Sequence, residues 1–124
     1  MTDAERLLTD AELELMRILW ELQEATVRDL MAALPADREL AYTTVSTIAR
    51  ILEKKGFVTS RKEGRTHHYR PSLERPRYEA RTLRHVLGSL FDGSPAALVR
   101  RLVADQALSD DELADLRALL DDEQ

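Results

Sequence analysis

The strongest constraint on this chain is a change of period at Gly56. Before it, "AYTTVSTIARILEKK" sets Val45, Ile48 and Leu52 at helical spacing, one apolar stripe along a helix. Lys54 and Lys55 favour the negative end of that helix, and Gly56 suits a left-handed stop. After it, "FVTSRKEGRTHHYRP" changes period. Two short segments rich in Val, Thr and Tyr, Phe57–Lys62 and Thr66–Pro71, flank Glu63-Gly64-Arg65, a β-hairpin with a basic tip.

Two helices are expected upstream. Thr9 caps the first, with Glu12 where a capping box needs a carboxylate, and Leu13, Met16, Leu19 and Trp20 form its apolar face. Thr26 caps the second, with Asp29 as its partner and Val27, Leu30, Met31 and Leu34 turned inward. Pro35 and the polar run "ADREL" then break the pattern. Three helices and a hairpin in this order predict a winged helix-turn-helix over residues 1–72.

From Leu73 onward the pattern is helical again. Leu83, Val86, Leu87, Leu90 and Phe91 form one stripe, which ends at Gly93. Ser94 and Pro95 start another helix carrying Leu98, Leu102 and Val103. Ser109 and Glu112 form a capping box before Leu113, Leu116, Leu119 and Leu120. Such short helices hold too little sequence for a core of their own, so residues 73–124 are expected to bury these stripes against a second copy. The expected fold class is mainly α with a small hairpin, a winged helix followed by a helical dimerisation domain.

Net charge is −5, yet it is unevenly spread. Residues 41–78 hold nine Lys or Arg against three Glu, a local +6 between two acidic flanks. A local field of this sign attracts phosphate whatever the whole-chain balance. The face of the third helix carries Tyr42, Thr43, Thr44, Ser46, Thr47, Arg50 and Lys54, where a solvated helix would use Glu, Lys, Gln and Ala. Hydroxyls both donate and accept, and the Thr methyl suits a thymine methyl, so short side chains let a helix approach base edges. Residues 42–54 are thus the expected reading helix. Residues 61–70 are the expected wing, with Lys62, Arg65 and His67 on phosphates. Taken singly, a polar helix face or a basic turn is ordinary solvated surface; their order carries the inference.

Catalysis and metal binding have little support. There is no cysteine, no glycine-rich phosphate loop, no nucleophile elbow and no paired-His helix. His67 and His68 point to opposite faces of a strand, so they cannot share a metal. No cofactor is expected. No basic-then-apolar leader and no membrane-length apolar run is seen, so a cytoplasmic protein without membrane insertion is expected. Two alternatives share the architecture: a protein–protein adaptor, and a ligand-sensing repressor whose effector site would draw on Arg84 and His85.

"LTDAELELMRILWEL", "TVRDLMAAL", "LAYTTVSTIARILEKKGFV", "GRTHHYRP" and "LSDDELADLRALL" together resemble the penicillinase-repressor family, the BlaI/MecI/CopY group, from about Leu8 to the end. The resemblance implies a homodimeric transcriptional repressor on a palindromic operator in duplex DNA. In the β-lactam branch it further implies a membrane-bound sensor protease that triggers repressor cleavage. Arg101-Leu102 stands where that branch has its Asn-Phe scissile pair. The copper-responsive branch uses a C-terminal cysteine motif, which this chain lacks, so direct copper sensing is not expected.

Overall fold

The computed structural model describes residues 7–122. Its elements are α1 (Asp10–Leu22), α2 (Val27–Ala33), α3 (Tyr42–Lys54), β1 (Val58–Glu63), β2 (Thr66–Pro71), α4 (Arg75–Leu90), α5 (Pro95–Ala104) and α6 (Asp110–Asp122). The caps expected from sequence form. Thr9 and Glu12 close a capping box on α1, and Thr26 and Asp29 close one on α2. Ser94 accepts from the Ala97 amide at the start of α5, while Ser109 and Glu112 bond reciprocally at the start of α6. Each satisfies amides that helix geometry leaves without partners.

Packing divides the chain into one unit up to Thr82 and another from Leu83. The division falls ten residues beyond the expected end of the winged helix at 72, because the first turns of α4 belong to the N-terminal core. Tyr78 is buried there, with its ring 5.8 Å from Trp20 and edge-on to Phe57 at 6.0 Å. Its hydroxyl accepts from the Leu8 amide at 2.9 Å. The Trp20 indole donates to the Leu73 carbonyl at 2.8 Å, so a large buried ring keeps its polar edge satisfied.

The core faces are shifted slightly from the expected ones. On α1, Leu15 is fully buried with Met16 and Leu19, whereas Leu13 is only half-buried. On α3, the buried line is Val45, Ala49 and Leu52, with Ile48 at its edge. The hairpin pairs Val58 with Pro71 through to Glu63 with Thr66. β1 therefore begins one residue later than expected and takes in Glu63, leaving only Gly64 and Arg65 in the turn. Gly64 has φ +64°, the left-handed geometry a tight two-residue hairpin asks of its first turn position. An isolated bridge between Ala25 and Tyr69, with bonds of 3.0 and 2.8 Å, fastens β2 to the α1–α2 connection.

The C-terminal unit is built differently. Asp92 and Gly93 take positive φ after α4, and Gln106 does so after α5. No residue of α5 or α6 is buried. Among the described residues no helix is long and apolar enough to cross a membrane.

Candidate nucleic-acid interface

A helix advances about 100° per residue, so Thr43, Thr47, Arg50 and Lys54 fall on one narrow strip of α3. That strip lies opposite Val45, Ala49 and Leu52, and all four residues are exposed. Tyr42, 48% exposed, and the half-buried Ser46 occupy one flank. Thr44 and the exposed Ile51 occupy the other. The N-cap of α3 is Ala41, which offers no side-chain acceptor. Unlike α1, α2, α5 and α6, this helix begins with no side-chain cap on its first-turn amides, an arrangement that favours an anion.

Strand register sorts the hairpin's charges. Directly paired residues share a face, so Lys62 and His67 lie with Ser60 and Tyr69, while Arg61, His68 and Arg70 lie on the other. The first face is the one turned toward α3. Tyr69 is buried, His67 stacks on it at 6.3 Å, and the Ser60 hydroxyl donates to Glu53. On the second face, Arg61 is held by Glu24 at 2.8 Å and Glu63 at 2.9 Å. Hydrogen bonds to Glu63 and Glu24 push its pKa up, and the Arg61 bond holds the Glu63 carboxyl below its ordinary value. Arg61 is thus already neutralised, whereas among the described residues Arg50, Lys54, Lys62 and Arg65 have no carboxylate partner.

Lys55 has a different task from its neighbour Lys54. Its ammonium meets the Glu12 carboxylate at 2.8 Å, tying α3 to α1. Glu12 is only 5% exposed, and it still closes the α1 capping box. Burial alone raises the Glu12 carboxyl, but Lys55 and the hydrogen bonds at Thr9 outweigh it and hold the pKa below the usual carboxylate value. The pair fixes the pitch of α3 against the core, leaving Lys54 free on the outward strip.

Sequence reasoning missed one residue, Arg28 on α2. Its guanidinium lies over the Tyr42 ring, 5.4 Å from the centroid. Arg28, Tyr42, Ser46, Arg65, Thr66 and His67 line a cleft of about 130 Å³ where α2, α3 and the hairpin turn converge. The phase of α2, with Val27 and Leu30 inward, was the available signal that Arg28 points outward.

Among the expected dimer residues, Leu83, Leu90, Leu119 and Leu120 are exposed. Val86, Leu87, Phe91, Leu98, Leu102, Leu113 and Leu116 are half-buried. Arg101 is exposed within α5, 3.7 Å from Asp105, with the half-buried Leu102 beside it. Among the described residues no group of three or more His, Asp or Glu side chains is placed to hold a metal.

Three helices followed by a hairpin folded back beside the third define the winged-helix class. The solution structure of the DNA binding domain of the repressor BlaI superposes with a TM-score of 0.52 at 28% identity, covering 60% of this chain and 89% of that one. Residues 8–122 match the family model of the penicillinase repressor, and the chain belongs to that family. The methicillin resistance regulatory protein MecI of Mammaliicoccus sciuri is 26% identical over 113 residues, 91% of this chain and 92% of that protein. The transcriptional regulator BlaI of Mycobacterium tuberculosis (strain CDC 1551 / Oshkosh) is 39% identical over 106 residues, 81% of this chain and 77% of its own. These relatives are regulators, and the family is one of repressors rather than enzymes.

Proposed function

We propose that this chain is a DNA-binding transcriptional repressor of the cytoplasm, working as a homodimer on a palindromic operator. The observation that carries the reading is the outward strip of α3. Thr43, Thr47, Arg50 and Lys54 present hydroxyls and free cations with no carboxylate among them, in a chain of net charge −5. Residues 42–54 enter the major groove, and Lys62, Arg65 and His67 of the wing lie along the adjoining backbone. Thr44 sits on the flank away from the hairpin and meets phosphate rather than a base edge.

The exposed leucines of α4 and α6, with the half-buried stripe residues around them, join two copies. The palindrome follows from the two-fold symmetry of such a pair, with half-sites about 34 Å or a modest multiple apart. Dimerisation makes the second half-site contact intramolecular, so loosening the C-terminal helices releases DNA without altering a base contact. Cleavage at Arg101-Leu102 by a membrane sensor protease is one way to do this. The bond lies inside α5, so it becomes accessible only when that helix opens locally.

The test is a gel-shift titration against the chain's own upstream region and an unrelated duplex. Thr47→Ala or Arg50→Ala should narrow the difference between the two, by about 1–3 kcal/mol for each lost base contact. Unchanged discrimination in both variants places base reading elsewhere.

A further inference from the structure

The cleft between α2, α3 and the hairpin turn differs from the rest of this acidic molecule. Two arginines, Arg28 and Arg65, and the imidazole of His67 line it with the hydroxyls of Tyr42, Ser46 and Thr66, and no carboxylate does. The acidic residues next to these arginines in sequence are engaged elsewhere. Asp29 is held by the Thr26 cap, and Glu63 by Arg61. Among the described residues neither Arg28 nor Arg65 has a hydrogen bond or ion pair. The Tyr42 ring under Arg28 restrains the guanidinium by its face, which leaves its N–H edges available to a planar or tetrahedral oxyanion.

Size selects the occupant. A cleft of about 130 Å³ is well below the ~300–1,000 Å³ of sites that enclose organic ligands, yet several times the ~30 Å³ share of one water. It suits one hydrated oxyanion. We propose that the cleft seats a single backbone phosphate of the bound duplex, clamped between Arg28 of α2 and Arg65 of the turn. The proposal rests on the repressor reading and adds a third element to its interface. A phosphate held there locks α3 and the hairpin in one setting, because Tyr42 and Ser46 come from one and Thr66 and His67 from the other. Phosphate contacts of this kind set the register in which the reading helix meets the bases.

The test uses the full chain and a duplex that it selects from a random pool. Methylphosphonate replacements, each removing one phosphate charge, are walked along that duplex. With the wild-type chain, one position in each half-site should weaken binding about tenfold when neutralised through loss of this seat. Arg28→Ala should bind the unmodified duplex about tenfold more weakly. It should lose sensitivity at that position alone, with the salt slope shallower by about one per protomer. Arg28→Lys should restore the slope but only part of the affinity, since an ammonium neither stacks nor forks.

If Arg28→Ala leaves both the scan and the slope unchanged, or weakens binding while every position keeps its sensitivity, the seat is wrong and the repressor reading stands. If the wild-type chain shows no salt-dependent duplex binding, both fall. Inorganic phosphate titrated into the DNA-free chain, followed by NMR at the Tyr42 and His67 rings, separates the sources of the anion. Saturable sub-millimolar binding would assign the cleft to a free anion and overturn the proposal; weak, non-saturating shifts support the duplex.

Discussion

Leu30 and Leu119 are both stripe leucines on helices with capping boxes at their N-termini, yet Leu30 is fully buried and Leu119 is 61% exposed. The same contrast runs through the two units. Every buried apolar residue among those described lies between Leu15 and Tyr78. There the helices, the hairpin and the start of α4 cover one another, and the Ala25–Tyr69 bridge closes the assembly. α5 and α6 have equally clear stripes and caps, but none of their residues is fully buried and the stripe leucines are half-buried or exposed. Local signals make a helix, and only a second layer makes a core. The N-terminal unit thus encloses a core of its own, whereas α5 and α6 hold no buried residue.

The largest effect should come from hollowing out the self-sufficient unit. Leu52→Ala removes a fully buried side chain between α3 and the core. We expect a loss of about 2–5 kcal/mol in denaturant unfolding. Leu119→Ala, measured on dilute monomer, should stay within about 0.5 kcal/mol. Equal losses at both sites would erase the contrast between the units.

Leu116→Asp probes the other side. A charge placed on the half-buried α6 stripe occurs twice in the proposed symmetric dimer, so about 2–3 kcal/mol of association should vanish. Sedimentation should then show monomers with unfolding of the N-terminal unit unchanged. A dimer that survives would put the seam elsewhere.

The smallest effect sharpens how the N-terminal unit is held. Lys55→Met strands the buried Glu12 carboxylate and should destabilise the fold by about 2 kcal/mol at neutral pH, less than for a fully buried pair because Lys55 keeps some solvent contact and Thr9 still bonds the carboxylate. The Glu12 pKa is depressed in the fold, so its contribution is present above the unfolded carboxyl value and is lost as pH falls through the folded one. In the variant burial acts with less opposition and the carboxyl titrates higher. The gap between wild type and variant should therefore shrink in acid. A gap independent of pH from neutral to acid would show that the ion pair does not hold α3 in place.

Much of the local structure around the candidate interface is legible in the sequence. Capping boxes are strictly local, so Thr9 with Glu12, Thr26 with Asp29 and Ser109 with Glu112 follow from spacing alone. The hydroxyl-and-cation strip of α3 follows from helical phase. What spacing does not encode is which cations are already spent. Lys54 and Lys55 are adjacent and chemically identical, yet one faces outward and the other is bound to a carboxylate 43 positions away. Arg61 and Lys62 divide in the same manner, because one belongs to the strand face that meets Glu24 and the other to the face beside α3. Arg28 was invisible for a related reason, since a lone arginine on a short helix gains meaning only when Tyr42 and the hairpin turn arrive beside it.

Periodicity, caps and the break at Gly56 were enough to specify six helices, one hairpin and a basic middle segment, because each depends on neighbours within a few residues along the chain. Strand register, the Glu12–Lys55 tie and the convergence of three elements on one cleft depend on residues far apart in the chain. Long-range packing sets those partnerships, and with them which cations are left without a carboxylate.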